Sequence, residues 1–455
     1  MRTTWPCFLI VAACCLWRAD IAGAQPAKQP AAPPPSPPAV AQFGLHAPPS
    51  GAARVTPLPP AAPETVRGRK VPGTTLDEVV GMALANSPNL REAADAATAA
   101  RGEALQAGLY PNPTINVQSP QMSGAESQYN GFATQEFITA GKLRLSRGAA
   151  MQGWRQAQLN FVRTRFELLT AVRTTFYSTL VAQERVEVLR NLVGVATRSR
   201  EAAEKLYEGG EGAKTDALLL RIEQDRAEME LENALALLAA TRRELTAAIG
   251  LPQITIMRVR GDLSAALPDL QYEAVRQGVL SRNAAAEIAR VEIRRNRLLL
   301  ERAIVEPIPN LTAMAGYQRQ IFPEMHQAIW QFTMTVPLWN RNQGNIRAAQ
   351  ANVGVASQQL ARVQNELSAQ VAEALGNFIQ AQERVNYFQR EILPRAREIQ
   401  HINAEAFAQG EVDFLRLLAS QRTLLESNLA NVASQEQRWL AGARLAGLLQ
   451  IERFP

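Results

Sequence analysis

Residues 336–353 read VPLWNRNQGNIRAAQANV. An apolar, strand-like run ends in a polar turn rich in Asn, Arg and Gly, and a helical pattern begins at once. Residues 135–153, QEFITAGKLRLSRGAAMQG, make much the same switch about 200 residues earlier. Each switch opens a very long helical pattern. Over about 143–207, Leu159, Val162, Phe166, Leu169, Val172, Phe176 and Leu180 recur three or four apart, until Gly209-Gly210 stops the run. Over about 343–407, Ile346, Ala349, Val353, Ala356, Leu360, Val363 and Leu367 keep the spacing of a coiled-coil seam, until Gly410. At about 1.5 Å per residue each pattern spans about 97 Å, too long for a compact domain. Return helices are expected at about 214–249, ended by Gly250-Leu251-Pro252, and at about 413–449. Pro394 falls inside the second long helix and predicts a kink just above its far end.

The switches are preceded by strand candidates near 114–120, 131–138, 311–320 and 328–337. Trp330, Phe332, Met334 and Val336 alternate with Ile329, Gln331, Thr333 and Thr335, giving one apolar and one mostly polar face. Leu311, Ala313, Ala315 and Tyr317 alternate with Thr312, Met314, Gly316 and Gln318 in the same way. Segments of about ten such residues suit a membrane barrel wall, although any half-buried sheet alternates too. Four strands cannot close a barrel, and lipid tolerates no open edge, so several chains would have to contribute four each. Three chains would give twelve strands.

The rest of the chain frames this plan. The 48 basic and 42 acidic residues are interspersed and leave a net charge of only +6, which describes a solvated surface rather than a nucleic-acid footprint. Residues 1–17 carry a single Arg near the start and then a short apolar run, and Ala22-Gly23-Ala24 follows, as in a secretory signal cleaved after Ala24. Val11-Ala12-Ala13-Cys14 offers a second route, a lipobox in which Cys14 would be lipidated. Cys7, Cys14 and Cys15 all lie here, so cleavage after Ala24 would leave no thiol for disulfides, metal or catalysis. Residues 25–73 hold 14 of the 27 prolines and read as a disordered tether. Two structural repeats follow, 75–250 and 271–450, joined by a connection at 251–270. Pro307-Ile308-Pro309 echoes Pro111-Asn112-Pro113, and Lys205–Glu211 aligns with Glu405–Glu411 at an offset of 200.

At this level of detail the chain resembles the TolC-like outer membrane factors of Gram-negative bacteria. The resemblance covers residues 75–450. It is carried by Leu76-Asp77-Glu78-Val79-Val80, Ala83-Leu84-Ala85-Asn86-Ser87-Pro88, the Tyr110–Pro113 turn, Gly141-Lys142, and Pro337-Leu338-Trp339-Asn340-Arg341-Asn342-Gln343-Gly344-Asn345-Ile346. The last two motifs look most like the heavy-metal-resistance branch. The resemblance implies a mainly α fold with a small β part and duplicated halves. Long antiparallel helical hairpins would form a twelve-helix tunnel in a homotrimer, and a twelve-stranded barrel would sit in outer membrane lipid. It further implies an equatorial collar, to which residues 253–262 would contribute, a periplasmic adaptor (membrane fusion) protein and an inner-membrane resistance-nodulation-division pump.

Candidate functional residues fall in three places. Gly141, Lys142, Pro337, Asn340, Arg341, Asn342 and Gly344 mark the barrel-to-tunnel joints. Glu208, Glu211, Asp216, Glu411 and Asp413 flank the two turns at the far end, where the resemblance puts the periplasmic tip. Symmetry would turn lumen-facing carboxylates into cation-selective rings, whereas the helix dipole alone accounts for acids at helix starts. Tyr317, Phe322, Trp330 and Phe332 are candidates for an interfacial aromatic girdle, with core packing as the alternative. His46, His326 and His401 are scattered, with no metal-ligand spacing, and His326 is expected in an extracellular loop. Neither a cofactor motif nor an enzyme signature appears: there is no phosphate loop, H-E-x-x-H or nucleophile elbow. The expectation is therefore a passive efflux duct, for divalent heavy-metal cations by its branch motifs. The alternatives are a duct for drugs or for type I protein secretion, or a periplasmic coiled-coil scaffold without a pore.

Overall fold

The computed structural model describes residues 73–453, apart from 123, 125, 211, 269, 409, 410 and 413. The signal, the tether and Cys14 therefore lie outside the described residues. Each half begins with two short helices broken at a side-chain cap. In the first, α1 (Leu76–Asn86) starts at a Thr75–Glu78 capping box, and α2 (Pro88–Gln106) starts at Ser87, whose hydroxyl accepts from the Leu90 N–H. In the second, α5 (Tyr272–Arg282) gives way to α6 (Ala284–Val305) at Asn283, whose Oδ1 accepts from the Ala285 N–H.

The long helix α3 (Lys142–Glu208) runs 67 residues, and α4 (Lys214–Ala248) returns along it. In the second half α7 (Gln343–Tyr387) and α8 (Leu393–Ala408) are joined by a π-helical turn, Phe388–Ile392, and α9 (Phe414–Leu449) returns. Pro394 explains the interruption. Its ring displaces the carbonyl four residues back and it has no N–H to donate, so the preceding turn widens. The seven stripe positions from Leu159 to Leu180, and the seven from Ile346 to Leu367, are all at least partly withdrawn from solvent.

The four strands β1 (Thr114–Gln121), β2 (Gln128–Phe137), β3 (Leu311–Gln320) and β4 (Met325–Met334) form one antiparallel sheet in chain order. β4 lies three residues earlier than its alternation suggests, because pairing with β3 ends at Leu311↔Met334 while the alternation continues to Val336. The register sorts the side chains. Ile115, Val117, Ala133, Ala313, Ala315, Tyr317, Trp330 and Phe332 share one face; Asn116, Thr134, Glu136, Thr312, Gln318, Gln331 and Thr333 share the other. Gly316 lies under the Phe132 ring, and a Cβ there would strike both that ring and the Gly131 carbonyl.

The two halves bury matching cores where the short helices meet the long ones. Val79, Ala83, Phe176, Tyr177, Leu245 and Trp439 belong to one; Val275, Val279, Leu375, Phe378 and Leu445 belong to the other. The described residues of 251–271 carry no helix, and several of them pack on the first core. Gln183 pairs with the backbone of Val259 through both amide atoms, at 2.9 and 3.0 Å, and Val259 bridges Thr74. Trp439 is fully buried, stacks on Tyr177 at 4.2 Å, and donates from Nε1 to the Leu263 carbonyl at 3.0 Å. Trp439→Ala removes a large side chain that the surrounding helices cannot replace. It should cost about 3–5 kcal/mol, read as an earlier midpoint in denaturant unfolding of detergent-solubilised protein.

Candidate functional site

Each long helix starts one residue after a left-handed backbone position. Gly141 has φ 67°, and Asn342 has φ 61°. Glycine takes that conformation without a Cβ penalty, and asparagine is the side chain that best tolerates it. The turn redirects the chain from sheet to helix across a short connection, residues 138–141 at the first joint and 335–342 at the second.

Both joints rest on the end of α6 and the turn after it. At the first, the buried Lys142 ammonium donates to the Ile308 carbonyl at 2.6 Å and to Asn310 Oδ1 at 3.0 Å. Asn310 Nδ2 donates in turn to Glu136 Oε1 at 2.8 Å, and the Thr139 hydroxyl donates to the Pro309 carbonyl at 2.6 Å. Burial, reinforced by the Arg302 guanidinium, lowers the Lys142 pKa, against the pull of Glu136. At the second joint, Asn342 Nδ2 donates to the Ala303 carbonyl at 2.8 Å, while its backbone N–H donates to Asn340 Oδ1 at 3.0 Å. The Arg341 N–H donates to Gln343 Oε1 at 2.8 Å, and Pro337 sits in a tight turn in which the Leu338 N–H reaches the Val336 carbonyl at 3.0 Å. Gly344 lies exposed in the first turn of α7. Between the joints is a cavity of about 340 Å³ lined by Glu136, Lys142, Asn310, Thr312, Thr333 and Asn340 among others. Glu136, Thr312 and Thr333 form one cross-strand row of the polar face, so the cavity opens on that face.

The acidic candidates at the far end are only partly described. Glu208 is the last residue of α3 and is exposed; Asp216 lies in the first turn of α4, where the helix dipole favours it. Glu411 is exposed, and its N–H reaches back to the Ala406 carbonyl at 2.9 Å, closing α8. Glu211 and Asp413 lie outside the described residues.

Tyr317, Trp330 and Phe332 lie exposed on the apolar face, and Phe322 lies in the turn between β3 and β4. Trp339, not among the sequence candidates for the girdle, is 87% exposed five residues past the end of β4. His326 belongs to β4 rather than to a loop: it faces Arg319 across the ladder and contacts the Tyr317 hydroxyl through Nδ1. Among the described residues no group of three or more His, Cys, Asp or Glu is placed to hold a metal ion. No described helix is long and apolar enough to cross a membrane.

With this geometry in view, the chain can be set beside known proteins. The profile of a family described as outer membrane efflux protein matches residues 79–251 and 275–449. The cobalt-zinc-cadmium resistance protein CzcC of Cupriavidus metallidurans is 24% identical over 375 residues, covering 82% of this chain and 90% of that protein. A crystal structure of a membrane protein from Pseudomonas aeruginosa superposes with a TM-score of 0.72 at 19% identity, covering 82% of this chain and 92% of that one. The outer membrane protein VceC of Vibrio cholerae gives 0.69 at 19% identity, covering 82% and 95%.

The joint yields a direct test. Lys142→Ala deprives the Ile308 carbonyl and Asn310 of a buried donor and should cost about 1–3 kcal/mol in unfolding at neutral pH. Folding lowers this pKa, so the unfolded chain binds the proton more tightly. The lysine's contribution to stability therefore rises with pH from the lowered pKa toward the ordinary value of 10.5. Lys142→Met should flatten that part of the stability–pH curve.

Proposed function

This chain belongs to the outer membrane efflux protein family, and from that premise we propose that three copies form a passive duct for divalent heavy-metal cations. The duct runs through the outer membrane of a Gram-negative bacterium and continues into the periplasm. The observation that carries the reading is the direct joint between a four-stranded, two-faced sheet and a 67-residue helix. A sheet with one apolar and one polar face suits a wall between lipid and water, and its open edges require closure by further copies. Three copies supply twelve strands, above the roughly eight at which known barrels begin.

The metal assignment rests on the similarity to CzcC, named for cobalt, zinc and cadmium resistance, which spans 82% of this chain and 90% of that one. A duct of this kind takes cations from a periplasmic adaptor and a proton-driven inner-membrane pump, and those proteins do the choosing. In this reading Glu208, Glu211, Asp216, Glu411 and Asp413 stand around the narrow periplasmic end, where threefold repetition of carboxylates favours cations over anions.

Two measurements test the proposal. Deleting the gene should lower the tolerated concentration of zinc, cobalt or cadmium salts several-fold, with restoration by the wild-type gene. Sensitivity to drugs alone would overturn the metal reading, and sensitivity to neither the duct. In planar bilayers the purified protein should give single-channel currents that favour cations. Glu208→Gln with Glu411→Gln should reduce that preference; unchanged selectivity would remove these two acids from the pore.

A further inference from the structure

The apolar face of the sheet changes character at the end remote from the helices. Its paired rows run from Phe137, Leu311 and Met334, beside the joints, to Gly131, Tyr317 and Ala328, and none of them carries a charge. The next row is Tyr129, Arg319 and His326. Beyond it the chain turns back through Phe322 and Glu324.

The place of this row can be set against a membrane. Arg319 is eight residues along β3 from Leu311. That is about 27 Å along the strand, or about 21 Å of height at the ~40° tilt of outer-membrane barrels. The apolar band of such barrels is about 25 Å tall, so the row falls at its outer edge. A charge facing lipid is costly at mid-membrane and nearly free at the interface, which fits a cation at this level and none in the rows before it. Tyr129 and Tyr317, both exposed, suit the same level.

The groups of the row converge on one oxygen. Arg319 Nη2 lies 3.3 Å and His326 Nε2 lies 3.7 Å from Oε1 of Glu324, and the Arg319 and His326 side chains are each about half exposed. The Tyr317 hydroxyl occupies Nδ1 of His326, so Nε2 is the nitrogen left for an anion. The Glu324 oxygen therefore marks the point where an oxyanion meets both side chains. Glu324 is the most exposed of the three and sits on a turn, free to be displaced. A phosphate offers more negative charge than a carboxylate and a second oxygen for the guanidinium fork.

We propose that Arg319 and His326 bind the phosphate of a lipid headgroup in the outer leaflet, with Glu324 filling the site when no lipid does. The inference rests on the reading of the chain as an outer membrane duct. It goes beyond that reading by assigning a lipid site to named residues.

The probe is diphosphoryl lipid A, a phosphorylated glycolipid of that leaflet, added in mixed micelles to full-length protein purified in a non-ionic detergent. The melting temperature of the wild type should rise with it. The same lipid stripped of its phosphates, and inorganic phosphate alone, should give little or no rise. Arg319→Ala with His326→Ala should weaken the apparent affinity roughly tenfold or more while leaving the melting temperature without lipid nearly unchanged. Glu324→Gln, which removes the competing carboxylate, should strengthen it; a purely structural ion pair would instead give a less stable protein with the same lipid response. Should the double variant fail to fold, Arg319→Lys, which keeps the charge and loses the fork, should still bind more weakly than the wild type. The proposal is overturned if the variants respond as the wild type does, if the stripped lipid works as well, or if inorganic phosphate does. The duct reading stands apart from these outcomes: it survives them if the wild type conducts in planar bilayers, and falls if it does not.

Discussion

A left-handed turn at each joint and one short segment between them hold the sheet and the long helices in a single body. Gly141 and Asn342 redirect the chain, and the segment from Ala303 to Asn310 receives both: Lys142 at the Ile308 carbonyl, Asn342 at the Ala303 carbonyl. A charged donor buried at such a place carries a desolvation cost, which the lowered lysine pKa expresses, and two good acceptors offset it. Without that anchoring, a helix roughly 100 Å long would act as a lever on four short strands. The joint makes the orientation of the lever a property of the fold.

Duplication does the rest. Val79 and Ala83 recur as Val275 and Val279 in the second core, and the caps Ser87 and Asn283 break the short helices at the same point. The halves also diverge. The second carries the π-helical turn before Pro394 and lacks the equivalent of Lys142, while the first carries the glycine pair after α3. Equivalent frames with different side chains let one chain present two kinds of joint and two kinds of helix end.

Much of this was legible in the sequence, because it is written in local patterns. Spacings of three and four from Leu159 to Leu180 and from Ile346 to Leu367 mark the buried stripes, and alternation marks the two faces of β3 and β4. Two-residue periodicity does not say where pairing stops, so neither the end of β4 nor the place of His326 follows from it. Pro394 announced a disturbance, but the widening of the turn into a π-helix depends on packing that the pattern does not contain. Lys142 stood out by its place in a motif. Its partners lie more than 160 residues away, and no local signal connects them. The acids of the far end are marked in the sequence only by type and position, and two of the five lie outside the described residues.

The register between β2 and β3 also governs how such a chain becomes a sheet. Each hairpin closes locally, β1 with β2 and β3 with β4, but Phe137 must find Leu311 across the whole of α3 to α6. Contacts so distant in sequence are slow to form, since the intervening chain must be ordered before they reward its lost entropy. The first hairpin therefore waits with both edges bare while the first helical repeat folds. Bare edges in water invite wrong partners. How long those edges stay bare is set by the chain's own order of elements.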